Sequence, residues 1–201
     1  IDMWNGKTYY ERDGINYSLG GQPVNIYLHW TLMPGYENDF GWVLVALQDV
    51  TERKKAEDYL RYLGTHDVMT GLYNRAYFEE TLQKLEANCQ DPISFIIVDL
   101  NELKVANDLF GHHTGDKLIR RAAEVLKASI AEGYTLARIG GDEFIIIMPG
   151  ADAEAASMMM ERVQSLIVVN NKYYSAPQLS LALGAATRVD GLSLERVISL
   201  A

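Results

Sequence analysis

Apolar and polar positions follow two different periods along this chain. Up to residue 50 the apolar residues sit in short runs rich in Tyr, Val, Ile and Trp: Lys7 to Leu19, Val24 to Met33 and Gly41 to Val50. Turn-forming stretches at Gly20-Gly21 and Pro34-Gly35-Tyr36-Glu37-Asn38 separate them. That pattern predicts three antiparallel strands. From Thr51 the period changes. Ala56, Tyr59, Leu60 and Leu63 recur at i, i+3, i+4 and i+7, one apolar stripe on a helix from Thr51 to Leu63. Thr51 is placed to cap it, with Lys54 and Lys55 on the solvent side. The stripe fits a short parallel coiled coil with a second subunit, or packing on its own domain. Fewer than two heptads do not hold a dimer unaided.

Beyond Asn74 helical and strand patterns alternate. Arg75 to Ala87 reads as a helix and Ile93 to Val98 as a strand. Leu103 to Phe110 and Gly115 to Ile130 read as two helices. Leu136 to Ile139 and Glu143 to Met148 read as a hairpin. Asp152 caps a helix to Val169, Leu179 to Thr187 is a strand, and Ser193 begins a last helix. Ile93 to Val98 is continuously apolar, the mark of a strand buried on both faces. The order implies an α/β (α+β) fold, one mixed sheet covered by helices.

Candidate chemistry gathers at two places. Residues 138 to 144 read Arg-Ile-Gly-Gly-Asp-Glu-Phe. Gly140 and Gly141 permit φ > 0 and remove side chains where the backbone turns or meets a ligand. Asp142 and Glu143 put two negative charges at that bend. At about 4 Å such a pair repels by roughly 4 kcal/mol at an effective dielectric of 20. A divalent metal answers that repulsion; a turn with solvated acids is the plainer alternative. The second place is Asp99, at the end of the buried strand, where it suits either a metal ligand or a helix N-cap. Taken with Asp142 and Glu143 it suggests a carboxylate cluster for Mg²⁺, which takes one or two protein carboxylates and completes its shell with phosphate and water.

Three motifs then stand in order. They are His66-Asp67-x-x-Thr70-Gly71-Leu72-x-Asn74-Arg75, the segment Asp99 to Asp116, and Gly140 to Phe144. From about residue 62 to 201 the chain resembles the GGDEF domain, the diguanylate cyclase family. The resemblance implies a palm-like nucleotide-cyclase fold. It implies condensation of two GTP into cyclic di-GMP and two pyrophosphates, one GTP on each of two facing domains of a homodimer. It implies Mg²⁺ or Mn²⁺ held by Asp99, the Leu100 carbonyl, Asp142 and Glu143. Asp142 and Glu143 are then the catalytic acids, without a decision on which is the base. Asn107 and Asp116 match the positions that read the guanine edge, Lys104 a phosphate contact, and Gly111-His112 the turn shaping the base pocket. Gly140 and Gly141 adjoin the substrate. Asp116 also fits a helix cap after Gly115. Asp67, Asn74 and Arg75 match structural and signalling positions.

The chain departs from the family pattern in places. Asn101 stands for a frequent Asp and Leu103 for a frequent Phe. The Arg-x-x-Asp of the family's product-inhibition site is replaced by Ala131 and Tyr134. The family's last helix, with its phosphate-contacting Lys, lies beyond Ala201. Upstream, His29-Trp30-x-x-x-Pro34, Gly41 to Val45 and the exit Gln48-Asp49-Val50-Thr51-Glu52-Arg53-Lys54 resemble the C-terminal strands of a PAS sensor domain. A small unrelated β-meander is the alternative. The domains expected are a PAS segment over 1–50, a linker helix over 51–64 and a C-terminally incomplete GGDEF domain over 65–201.

Composition trims this picture. A net charge of −9 argues against broad nucleic-acid binding. The apolar runs are far shorter than the ~20 residues of a membrane span, and no signal peptide is visible. Opening at Ile1 in mid-pattern, the chain reads as a cytoplasmic fragment whose parent is free to carry an anchor upstream. Cys89, the single cysteine, excludes an internal disulfide. Besides an active cyclase under a PAS sensor, two readings stay open: a non-catalytic GTP-binding module of the same fold, and a PAS-mediated dimerisation piece.

Overall fold

The computed structural model of the chain describes residues 7–36, 41–88, 92–174, 176–188 and 192–201. Cys89 and the far end of the turn expected at Pro34 to Asn38 lie outside them. The chain forms two compact units, Ile1–Tyr62 and Leu63–Ala201.

The first unit holds three antiparallel strands in the order β1-β2-β3: β1 (Tyr9–Tyr17), β2 (Pro23–Leu32) and β3 (Val43–Asp49). Cross-strand register aligns Tyr10 with Trp30 and Trp30 with Val45. Successive side chains alternate faces, so this row shares one side, and the rings of Tyr10 and Trp30 stack at 6.0 Å. Helix α1 (Thr51–Thr65) follows. Thr51 does not cap it. The Thr51 hydroxyl accepts from the Asn25 N–H at 2.8 Å, and Asp49 Oδ1 accepts from the Thr51 N–H at 2.8 Å. Lys54 is not simply solvated either: its Nζ pairs with Asp13 Oδ2 at 2.9 Å.

The second unit runs α2 (Arg75–Asn88), β4 (Ile93–Leu100), α3 (Leu103–Phe110), α4 (His112–Ser129), β5 (Thr135–Arg138), β6 (Glu143–Pro149), α5 (Ala153–Tyr173), β7 (Leu181–Thr187) and α6 (Leu194–Ile198). The sheet order is β5-β6-β4-β7. Its strand pairs are all antiparallel among the described residues, and the parallel element that makes it mixed is a single bridge from Tyr73 to Ala137. Hairpin and crossover lengths here return each strand against its neighbour, which the element order alone does not reveal.

Strand β4 is the centre. Ile96, Val98 and Leu100 join Phe144, Ile146 and Met148 in a core with Leu118, Ala122, Leu126 and Val163. Ile93 and Phe95 join Ile145, Ile147, Phe78, Leu194 and Val197 in a second core across the sheet. Asp152 caps α5, accepting from the Ala155 N–H at 2.9 Å, and Ser193 caps α6 through the Arg196 N–H. No helix among the described residues is long and apolar enough to cross a membrane.

Helix α4 begins at His112, three residues before the expected Gly115. A single residue, Gly111, ends α3 and starts α4 at φ 82°, ψ 158°. That region is essentially reserved for glycine. Gly115 is a packing glycine inside the helix: a Cβ there would strike the Asn107 side chain. Gly111→Ala and Gly111→Asn should therefore each lose about 1–3 kcal/mol of stability. Asn should not rescue, because its tolerance covers the ordinary left-handed well and not ψ near 158°. Urea denaturation of both variants checks this; wild-type stability in either would contradict the strain.

Candidate active site

The apolar packing of β4 and β6 delivers Asp99, Gly140, Gly141, Asp142 and Glu143 to one end of the sheet. Asp99 is the last residue but one of β4 and pairs in register with Glu143, the first of β6. The Leu100 N–H donates to the Asp142 carbonyl at 3.0 Å, which pins the turn to the strand end. Asp99 therefore belongs to a strand and is not a helix cap; the residue before α3 is Glu102, with no side-chain cap bond.

Burial, and then the charge of Asp142, push the Asp99 carboxyl up from its ordinary value near 3.8. Neither Asp99 nor Asp142 is paired with a cationic side chain among the described residues. Glu143 behaves differently. Its carboxylate folds over Gly140, with Oε2 2.6 Å from where a Cβ would stand, and its charge is felt at Arg75. Among the described residues no three His, Cys, Asp or Glu side chains form a ready-made metal cage. The three acids thus divide into Asp99, which feels the Asp142 charge, Asp142 itself, and a neighbour held aside.

The two glycines do not use positive φ, contrary to expectation. Gly140 makes room for the Glu143 carboxylate, and around Gly141 nothing stands within 4 Å of an added Cβ. Their contribution is the missing side chain: the hairpin is closed by the Glu143 carbonyl, which accepts from the N–H of Ile139 at 3.0 Å and of Gly140 at 3.3 Å.

Asn107 and Asp116 stand on α3 and α4, which meet at Gly115. Gly115 lets α3 approach α4 so closely that Asn107 Oδ1 occupies the space of a Cβ. Asp116, next to it and half-buried, lies inside α4 and so does not cap the helix. Lys104 is exposed on the first turn of α3, and His112 is exposed as the first residue of α4. Ala131 and Tyr134 form a turn, with the Tyr134 N–H on the Ala131 carbonyl at 3.3 Å.

Residues 64–201 match the sequence profile described as "Diguanylate cyclase, GGDEF domain". The chain belongs to this family. The chain is 33% identical over 156 residues to the probable diguanylate cyclase DgcC of Escherichia coli K12, covering 76% of this chain and 42% of that protein. It is 33% identical over 163 residues to the probable diguanylate cyclase DgcE of the same strain, covering 78% of this chain and 14% of that one. The chain thus spans less than half the length of these curated relatives. Among solved structures, the coiled coil and GGDEF domain of DgcB from Caulobacter crescentus, in complex with c-di-GMP, superposes with TM-score 0.66 at 27% identity, covering 75% of this chain and 83% of that one. The Vibrio cholerae LapD S helix-GGDEF-EAL structure gives TM-score 0.65 at 26% identity, covering 74% of this chain and 35% of that one.

Within this GGDEF fold, three positioning residues escape a reading of the sequence. Arg138 donates from Nη1 to both Asp67 oxygens, at 3.0 and 3.2 Å, and from Nη2 to the Gly141 carbonyl at 2.8 Å. It joins the first motif to the signature turn. Its Nε is buried without a partner among the described residues, a cost set against those three charge-assisted bonds. Asn101 bonds Ser180 twice, backbone to carbonyl at 3.0 Å and Nδ2 to Oγ at 2.9 Å, and so ties the loop after β4 to β7. Glu102 holds a left-handed conformation, φ 60°, between the strand and α3. An Arg two residues before Gly-Gly was the one visible signal for the first; the other two leave none. Asn74 caps α2 through the Tyr77 N–H at 3.0 Å, which agrees with a structural role.

Two acids near the site respond to pH in opposite senses. Burial alone would raise Asp67, but hydrogen bonds from Thr70 and Arg138 outweigh it and hold the carboxyl below its ordinary value. Its contribution to stability is present above about pH 4 and is lost as pH falls through the lowered value. Arg138→Met should cost about 1–3 kcal/mol at pH 7, with a loss that shrinks as pH falls through the lowered Asp67 value. Asp99 has the reverse sign. Its raised carboxyl favours folding only when protonated, and that advantage disappears as pH rises through the raised value. Asp99→Asn should therefore raise the melting temperature at pH 7 and leave it unchanged near pH 3. Thermal melts across pH 3–8 read both; a destabilised Asp99→Asn protein at pH 7 would contradict the like-charge pair.

Proposed function

We propose that the chain is the catalytic output part of a diguanylate cyclase, condensing two GTP into cyclic di-GMP and two pyrophosphates. The observation that carries this reading is the Asp99–Asp142 pair, two uncompensated carboxylates fixed at one strand end. Such a pair fits Mg²⁺ or Mn²⁺, held by Asp99, Asp142 and the Leu100 carbonyl, with Glu143 adjacent. Two protein carboxylates are what a site completed by substrate phosphate and water requires. When bound, the metal supplies positive charge to phosphate oxygens. The chain's own residues do the rest. Asn107 and Asp116 accept from the guanine N1–H and exocyclic amine, which fixes the base. Lys104 meets the phosphates, Gly141 leaves the approach free, and Gly140 seats the Glu143 carboxylate beside it. Asp142 or Glu143 receives the proton of the attacking 3′-hydroxyl.

The naming of the curated relatives as diguanylate cyclases, and the c-di-GMP complex of the DgcB domain, support the same reading. The reaction needs a second copy to present its own GTP. Helix α1 buries none of its residues, and Tyr59 and Leu60 are 58% and 66% exposed, so the stripe of Ala56, Tyr59, Leu60 and Leu63 is free to pair two copies in parallel. We read the three strands before it as the C-terminal part of a PAS sensor that regulates that pairing.

Incubating the chain with GTP and Mg²⁺ should yield cyclic di-GMP, identified by chromatography and mass. Asp142→Asn should lower the rate at least about 100-fold with no loss of thermal stability. Unchanged turnover would sink the assignment, and GTP binding without product would favour a non-catalytic module. ATP should be rejected by up to about 10⁴-fold. Gly115→Ala should weaken GTP binding roughly tenfold by displacing Asn107. Its stability should shift by no more than about 1 kcal/mol, since the helix gains by the change what the displaced side chain loses.

A further inference from the structure

A cavity of about 530 Å³ lies between α4 and the segment that follows α5. Its size falls within the roughly 300–1,000 Å³ of small-molecule sites. Phe110, Lys117, Arg120, Arg121, Tyr174 and Pro177 line it. Its Lys117 and Arg121 side of α4 is not the side of Gly115, while Arg120, one turn after Asp116, stands between the two. Gly115 faces Asn107 across α3, whereas Lys117, Arg121 and Glu124 recur at helical spacing on another face. Two residues of α-helix turn the direction by about 200°, so Lys117 points away from Gly115.

The lining has a charge unlike that of the chain. The whole sequence carries −9. Around the cavity, three cations (Lys117, Arg120, Arg121) face one acid, Glu124, a balance of 3 − 1, or about +2. The floor is rigid. Arg121 is 7% exposed and donates to Asn170 Oδ1 at 3.0 and 2.8 Å, to Asn171 Oδ1 at 3.1 Å and to the Pro177 carbonyl at 2.8 Å. All these acceptors are neutral, so the hydrogen bonds fix the guanidinium without cancelling its charge. Asn171 is itself locked, bonding the Leu179 N–H and carbonyl at 2.8 Å each. The guanidinium carbon sits 4.1 Å over the Tyr174 ring. At the same cavity Phe110 and Tyr174 stay 58% and 45% exposed.

We propose that this cavity is a second ligand site, which takes a small planar aromatic phosphate. The ring packs on Tyr174 and Phe110, and the phosphate meets Lys117 and Arg120. A phosphomonoester carries about −1.5 to −2 at neutral pH, which matches the lining. Aromatic faces and a stacked guanidinium suit a flat ring. The site stands apart from the cyclase reading and does not depend on it.

The probe is 1-naphthyl phosphate, titrated calorimetrically into the full chain at about 0.15 M salt, a Debye length near 8 Å. One saturable site is expected. Lys117→Ser and Arg120→Ser should each weaken it roughly tenfold; both replace exposed side chains, and unchanged melting curves confirm that the fold survives. Inorganic phosphate and 1-naphthol, each with half the recognition, should bind at least about tenfold more weakly. Excess GTP should not displace the probe. The proposal is overturned by absence of saturable binding, by equal affinity for inorganic phosphate or 1-naphthol, by displacement with GTP, or by indifference to both cation substitutions.

Discussion

The burial of β4 on both faces is the constraint from which the site follows. Phe95, Ile96 and Val98 are fully buried, to opposite sides of the sheet. A slip of one residue would exchange the two faces and lose both cores, so the strand has one register. That register places Asp99 opposite Glu143 and brings the Leu100 N–H to the Asp142 carbonyl. Apolar packing therefore holds like charges together. The burial and the Asp142 charge that raise Asp99 are outweighed by apolar side chains that contribute about 1.5–3 kcal/mol each on full burial. β4 and β6 supply many of them.

The acids around that strand end separate by what already faces them. Asp67 has its cation built in: Arg138 covers both oxygens, and Thr70 adds a hydroxyl at 2.6 Å. Its low proton affinity and its ion pair make it a structural acid. Asp99 has only a second carboxylate for company, and its proton affinity is raised. A perturbed acid without a partner is the stronger sign of a site. The same Arg138 serves both, because its other arm holds the Gly141 carbonyl and so fixes the turn that carries Asp142.

Local patterns made most of this legible. The apolar run at Ile93, the hairpin around Gly140-Gly141 and the caps at Asp152 and Ser193 depend on neighbours within a few residues, and all appear where the sequence puts them. What was not legible depends on distant partners. Arg138 acts on Asp67, and Asn101 on Ser180; neither pairing has a local trace. The glycines of the signature illustrate a subtler limit. Their presence was plain, but their reason was not backbone conformation. For Gly140 it was the space taken by Glu143, which is visible only once the hairpin is closed. Likewise Gly115 reads as a helix start, and becomes a packing glycine only when α3 is laid against it.

One consequence of the division between Asp142 and Glu143 reaches beyond a single copy. On the proposed reaction, the chain's own pair of carboxylates positions one GTP, and the attacking hydroxyl must come from the GTP of a second copy. The site in one chain is then complete for binding and incomplete for chemistry. Effective molarities in well-oriented reactions reach about 10⁵–10⁸ M and fall steeply with small misplacements. Control of rate consequently needs no change inside the site. A change in how two copies face each other suffices, and the segment free to set it is α1, whose apolar stripe is left uncovered within one chain. On the proposed reading, a half-site on β4 and the exposed Tyr59 and Leu60 of α1 are what an upstream domain needs to govern turnover without touching the carboxylates.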